Sequence, residues 1–178
     1  MLDPEFQIET DRLILRRFCN DDLDQLVSIM GNWDVTQWLS KNVPFPYTRK
    51  DGEEFIEIER ADFMKADKIN FSVIEKASMK CIGSFKLFSM SDEECEIGYC
   101  IGTDFWGKGY ANEMTGAVIS WLKERGEVKR LTAQTASENI GSRKLLERQG
   151  FIHLGTPPST VARCGHGTSC SEYYVRDL

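Results

Sequence analysis

The sequence predicts a three-layer α/β domain with helices on both faces of a mixed β-sheet, and three observations predict it. Segments of strand and helix composition alternate in the order βααβββαβαβ and a last β. The runs 69-INFSVIE-75 and 80-KCIGSFKLF-88 are joined by a turn short enough to read as a hairpin. The chain has 178 residues, the length of one domain with a single good core, so 1–178 is read as one unit.

The elements follow in order. In 12-RLILRRF-18, Leu13 and Leu15 alternate with charged neighbours before Asn20, which reads as a strand. After an acidic start at Asp21, the apolar residues Leu23, Leu26, Val27 and Met30 recur at helical spacing. The segment 33-WDVTQWL-39 adds a short helix before PFPY. Thr48 is read as an N-cap for a longer helix over 49–66. Strands are expected at 69–75, 80–88 and 94–101. A helix at 110–125 is closed by Gly126 as a C-cap. The run 129-KRLTAQTA-136 reads as a strand, 139-NIGSRKLLERQ-149 as a helix capped by Gly150, and 151-FIHLG-155 as a strand. A Pro- and Gly-rich loop then leads to a last strand at 171–177.

Composition excludes several classes. Hydrophobic residues make up 41% and charged residues 28%, ordinary for a soluble domain. No apolar run approaches the roughly 20 residues that span a bilayer. The polar, acidic start MLDPEFQIETDR lacks an apolar h-region, so no secretory signal is expected and the cytoplasm is the expected compartment. The net charge of −6 argues against a nucleic-acid-binding face and suits a cationic substrate. Cys19, Cys81, Cys95, Cys100, Cys164 and Cys170 form no C-x-x-C pair and are read as reduced apolar fillers. Cys164, His166 and Cys170 lie close together, but three ligands at that spacing match no standard zinc pattern, so a Gly-rich loop and no metal are expected.

The chemistry is carried by 102-GTDFWGKGYANE-113. Gly102 with Gly107-Lys108 imitates a P-loop, but Gly109 stands where Ser or Thr should hold Mg²⁺. Gly107 and Gly109 begin a G-x-G-x-x-G, but position 112 is Asn and no suitable acidic residue follows the next strand. A third ligand, the pyrophosphate of coenzyme A, fits best. Small residues admit backbone N–H groups to the phosphates, and the helix N-terminus adds a favourable dipole.

On these residues the chain resembles the GNAT superfamily of N-acetyltransferases. The loop 105-FWGKGYANE-113 resembles its Q/R-x-x-G-x-G/A motif, with Trp106, Gly109 and Ala111 in the three defining places. The segment 139-NIGSRKLLERQGF-151 resembles the second signature, N-x-x-[A/S]-x-x-x-[Y/L]-E-x-x-G-F. The stretches 9-ETDRLILRRF-18 and 96-EIGYCI-101 are similar to the RimJ/RimL-like branch, the ribosomal-protein N-terminal acetyltransferases. The likeness runs over roughly 8–155.

The resemblance implies a GNAT-like α/β/α domain whose mixed sheet is splayed, with acetyl-CoA between strands 94–101 and 129–136 and no metal. It implies that Tyr99, Cys100 and Ile101 pair with the pantetheine. Gly107, Lys108, Gly109, Tyr110, Ala111 and Asn112 would hold the pyrophosphate, and Asn139 would hold coenzyme A or cap its helix. Direct attack of a neutral amine on the thioester is implied, with Cys100 as a covalent nucleophile the alternative. Positions where relatives carry a basic Glu and an acidic Tyr are Gln134 and Leu146 here. Glu96 is then the candidate base, on the strand face it shares with Gly98 and Cys100, with Glu94 as a backup. Ser142 is the candidate group that serves the CoA sulfur. Trp33, Trp38, Phe45 and Tyr47 are candidates for the acceptor wall or for packing. The expected acceptor is the α-amine of a protein or peptide. A polyamine, aminoglycoside or amino-acid analogue stays open, as does a non-catalytic acyl-CoA sensor. Pairing of two copies through an apolar edge or the last strand also stays open.

Overall fold

The computed structural model describes residues 3, 5–63, 68–91, 93–156 and 171–178. Among these, the strands are β1 (Gln7–Glu9), β2 (Leu13–Arg16), β3 (Ile69–Glu75), β4 (Lys80–Phe88), β5 (Glu94–Ile101), β6 (Arg130–Ala136), β7 (Ile152–Gly155) and β8 (Ser171–Asp177). The helices are α1 (Leu23–Met30), α2 (Trp33–Thr36), α3 (Arg49–Asp62), α4 (Tyr110–Arg125) and α5 (Ile140–Arg148). All the strands join one mixed sheet in the order β1-β2-β3-β4-β5-β6-β8-β7. The cysteine and histidine cluster of 163–170 lies outside the described residues.

Each face of the sheet carries its own core. Val73, Phe85, Ile97, Leu131 and Tyr174 pack with Met114, Val118 and Leu122 of α4 and Leu146 of α5. On the other face, Cys100 packs with Leu23, Leu26, Ile29 and Met30 of α1, Ile56 of α3, and Phe18. Each such apolar side chain contributes about 1.5–3 kcal/mol when fully buried. The period-2 pattern of β5 makes the division sharp: Cys95 and Ile97 enter the first core, whereas Cys100 enters the second.

The helices stop and start where local chemistry dictates. Thr48 caps α3 and forms a reciprocal capping box with Asp51. Gly126, at φ +64, closes α4 in the left-handed region. Two expectations change. The helix placed at 49–66 is described as far as Asp62, with Phe63 as its C-cap, and 64–67 lie outside the described residues. Strand β1 was not expected, since its three residues form a strand only because Gln7, Ile8 and Glu9 pair with Arg16, Leu15 and Ile14 of β2. The last strand, β8, lies between β6 and β7, a place for which the sequence carried no expectation.

The feature that positions the site lies between β5 and β6. They pair in parallel from Glu94 opposite Arg130 to Ile97 opposite Ala133, and there the ladder ends. Both strands run on, to Ile101 and Ala136, each held on its outer side by β4 or β8. Their inner edges therefore part, and inner-edge peptide groups need partners from outside the sheet.

Candidate active site

The gap between the parted strands is a cavity of about 70 Å³. Gly98 and Tyr99 of β5, Gln134 and Thr135 of β6, and Asn139, Ser142 and Leu146 of the α5 region line it. Trp38 and Leu39, beyond α2, close it from the acceptor-side helices. Sequence reading left Trp38 as a candidate for the acceptor wall or for packing. Leu39 carries no sequence signal for this place.

Asn139 caps α5, its side-chain oxygen accepting from the Ser142 N–H at 3.1 Å. That bond fixes the first turn and holds Ser142 at the cavity. The Tyr99 and Ser142 hydroxyls lie 2.9 Å apart. Burial pushes the Tyr99 phenol well above its ordinary range, outweighing the hydrogen bond with Ser142. The Tyr99 ring stacks on Phe85, with centroids 6.0 Å apart and planes at 19°.

The glycine loop lies at the open end of the cleft, between β5 and α4. Gly107 at φ +73 and Gly109 at φ +83 occupy a region that side chains strain to reach. Nothing lies within 4 Å of a Cβ placed on Gly107, so a ligand has open space beside that backbone. The first amides of the 16-residue α4 have no acceptor within the helix. The Trp106 indole N–H donates to the Ile101 carbonyl at 2.7 Å, tying the loop to the end of β5. This loop and the parted strands fit a pyrophosphate joined to an extended arm, as coenzyme A would supply.

The side chains of several expected loop residues have partners within the protein. The Tyr110 side chain is buried, and its hydroxyl donates to Glu75 at 2.5 Å. The Asn112 side chain accepts from the Gln149 amide at 2.8 Å, joining α4 to α5. Lys108 is exposed, with its ammonium 5.4 Å from the Phe105 ring centroid. Ala111 packs against the first core.

An anchor that sequence reading missed holds the loop from behind. Arg12, in the β1–β2 turn, donates through its backbone N–H at 3.0 Å and its Nε at 2.7 Å to Glu113 of α4. Its Nη1 reaches the Lys108 carbonyl at 3.0 Å, and the guanidinium lies 4.4 Å from the Tyr110 ring centroid. Thr10 also donates to Glu113, at 2.5 Å. Burial acts to raise the Glu113 carboxyl, but the hydrogen bonds from Thr10 and Arg12 prevail and hold it below the usual range. Residues about a hundred positions apart leave no local signal of such a tie.

The two candidate carboxylates lie on the second-core face of β5. Glu96 is half-buried, opposite Phe88 and Thr132 in the closed part of the ladder, two residues short of cavity-lining Gly98. Glu94 is exposed at the start of the strand. Both act to raise the Tyr173 phenol, where burial is the larger cause.

Among the described residues, no cysteine lines the cavity. Burial pushes the Cys81 thiol up to about 11 and the Cys95 thiol up to about 12. The Cys100 side chain is buried in the second core, 3.4 Å from the Ser84 hydroxyl, and burial raises its thiol as well. A thiol held protonated is a poor nucleophile, which disfavours the covalent route through Cys100. Trp33 and Phe45 pack with ring centroids 4.8 Å apart and planes tilted at 59°, outside the cavity lining, and Tyr47 packs against the second core.

A larger groove of about 730 Å³ between α1 and α3 shares no lining residue with the cleft. Its arginines have partners: Arg17 donates to the Arg60 carbonyl, Arg60 to Asn20, and Arg49 to Asp24. Among the described residues, no group of three or more His, Cys, Asp or Glu could hold a metal ion, and no helix is long and apolar enough to cross a membrane.

Comparison with known proteins agrees with this geometry. The family described as acetyltransferase (GNAT) domain matches residues 12–152. An uncharacterized N-acetyltransferase, p20, of Bacillus licheniformis is 28% identical over 149 residues, covering 82% of each chain. A structure of a candidate ribosomal-protein-serine acetyltransferase from Vibrio cholerae superposes with a TM-score of 0.85 at 26% identity, covering 99% of this chain and 100% of that one. RimL, a ribosomal L7/L12 α-N-protein acetyltransferase solved in complex with coenzyme A, shares the fold at a TM-score of 0.81 and 14% identity, covering 97% and 98%. The loop, the parted strands and the match over most of the chain lead to one conclusion: this chain belongs to the GNAT acetyltransferase family and is an N-acetyltransferase.

Proposed function

We propose that this enzyme moves the acetyl group of acetyl-CoA to the N-terminal α-amine of a protein or peptide. The observation that carries the acceptor is the full-length likeness to the candidate ribosomal-protein-serine acetyltransferase of Vibrio cholerae. The amine suits this site chemically. An α-amino group titrates near 7.7–8.0, so it needs only a modest base, whereas lysine near 10.4 needs more help.

Acetyl-CoA supplies the activated thioester, and the chain's residues supply the rest. Gly107 to Asn112 present backbone amides to the pyrophosphate. The inner edges of β5 and β6 pair with the extended arm and offer amide donors to the developing oxyanion. Glu96, on the face that looks toward the acceptor-side helices, receives the amine proton directly or through water. Ser142, at the cavity, donates a hydrogen bond to the sulfur as the C–S bond breaks.

Release of free CoA thiol tests the acceptor, with peptides beginning Ser, Ala or Thr measured against spermidine and aminoglycosides. Turnover on peptides is expected. Strong polyamine turnover with inert peptides would sink the peptide assignment. Binding of acetyl-CoA without thiol release on any amine would favour a sensor. Acetyl-CoA at about 100 times its Kd should add about 2.7 kcal/mol of stability in a thermal melt. Absence of that shift would overturn the cosubstrate itself.

A further inference from the structure

We infer that Tyr99 is a positioning residue for departure of the thiol: its phenol O–H donates to the Ser142 hydroxyl, so that the Ser142 proton points into the cleft toward the sulfur. The inference rests on the acetyl-CoA reading above and adds to it a residue whose side chain that reading leaves without a task.

Either hydroxyl could donate across the 2.9 Å separation, and the inferred direction follows from the acceptors around Tyr99. Tyr99 Oη has two acceptors within reach, Ser142 Oγ at 2.9 Å and the Ser142 carbonyl at 3.5 Å. The Tyr99 O–H is partly buried and favours an acceptor, and of the two Oγ offers the better distance. Burial also keeps the phenol protonated, so Tyr99 keeps its proton throughout the cycle. Once Oγ accepts from Tyr99, the one Ser142 hydroxyl proton is available to the cavity that both residues line. Donation into Oγ polarises that proton and strengthens the next hydrogen bond in the chain. Both ends of the pair are fixed. The Tyr99 ring is stacked on Phe85 and the Ser142 amide is bonded to Asn139. Leu146, where relatives carry an acidic tyrosine, has no proton to give, and Tyr99 reaches the same cavity from the opposite wall.

The reaction balances without a net proton from either hydroxyl. The amine lone pair forms the C–N bond as the carbonyl π pair moves to oxygen. Collapse re-forms C=O, breaks C–S and leaves the pair on sulfur. The nitrogen loses one proton to base or solvent, and the thiolate, hydrogen-bonded by Ser142, takes one from water. Amine and thioester become amide and thiol, with Tyr99 and Ser142 unchanged.

The test is a kinetic cycle of Tyr99→Phe, Ser142→Ala and the double variant, with kcat measured on the best amine and acetyl-CoA affinity measured separately. Phenylalanine keeps the stack on Phe85, and a thermal melt checks that each variant is folded. Tyr99→Phe should lower kcat roughly 5- to 20-fold, the worth of one hydrogen bond, with acetyl-CoA affinity within about twofold. In the Ser142→Ala background, Tyr99→Phe should change kcat by less than about twofold, because its only route of action is gone. A multiplying double variant, an unchanged kcat in Tyr99→Phe, or an affinity loss equal to the kcat loss would overturn the inference. These outcomes are separate from failure of the underlying reading, which would show in wild type as no acetyl-CoA binding or no turnover.

Discussion

Replacing Arg12 by alanine tests whether the β1–β2 turn holds the glycine loop in its anion-binding shape. The substitution removes the Nε bond to Glu113, the Nη1 bond to the Lys108 carbonyl and the contact with the Tyr110 ring. Hydrogen bonds to charged groups contribute about 1.5–3 kcal/mol, and fully exposed ion pairs about 0.2–1. The Arg12 side chain is 46% exposed and that of Glu113 19%, so water discounts the pair to about 1 kcal/mol. The ring and carbonyl contacts add about 0.5–1 more. For a chain of this size the total lowers Tm by about 3–8 °C. The assay is a set of melts on wild type, Arg12→Ala, Glu113→Gln and the double variant, with an expected coupling of about 1 kcal/mol. The pH dependence has a definite sign. The folded Glu113 carboxyl titrates below its unfolded value, so its contribution is present above about pH 4.3 and is lost as pH falls through the folded value. The gap between wild type and Arg12→Ala should therefore narrow below that pH. A second readout follows from charge. Without Arg12, the Glu113 carboxylate faces the phosphate loop unneutralised, and KM for acetyl-CoA should rise about tenfold, or 1.4 kcal/mol. Glu113→Gln should reverse most of that rise. An unchanged melt and KM in Arg12→Ala, or a KM rise that persists in the double variant, would refute the reasoning.

Two further substitutions probe the site. Gly109→Ala forces a Cβ onto φ +83 and brings it to 3.5 Å from the Arg12 guanidinium. It should cost about 1–2 kcal/mol in stability and weaken acetyl-CoA binding, as calorimetric titration would show, and undiminished affinity would mean the loop does not set the phosphate site. Cys100→Ala should leave turnover within about twofold and cost about 1 kcal/mol or so in a denaturant melt, while loss of turnover would restore the covalent route.

Much of the fold was legible because its elements carry their own signals. The hairpin of β3 and β4 was marked by two strand-like runs and a short turn, and the bounds of α4 by the glycines on either side of it. The glycine loop was legible for the same reason, since the positive φ at Gly107 and Gly109 calls for glycine by backbone conformation alone. Strand β1 was not, because QIE has no pattern until β2 pairs with it. The place of β8 between β6 and β7 was equally hidden, because strand order depends on how a long connection closes. Alternation correctly put Glu96, Gly98 and Cys100 on one face, but could not say where along β5 the ladder would end.

The sequence by itself marked the anion site: small residues ahead of a helix leave backbone amides open to an anion wherever the chain goes. It also determined which groups the site lacks, since Gln134 and Leu146 can neither accept nor supply a catalytic proton. Tertiary structure alone decided what those absences leave in place. The strands part just after Ile97 and Ala133, Tyr99 meets Ser142 across 43 residues, and Arg12 meets Glu113 across 101. Such contacts depend on register and loop closure, which are properties of the whole packed chain and leave no trace in a local stretch of residues.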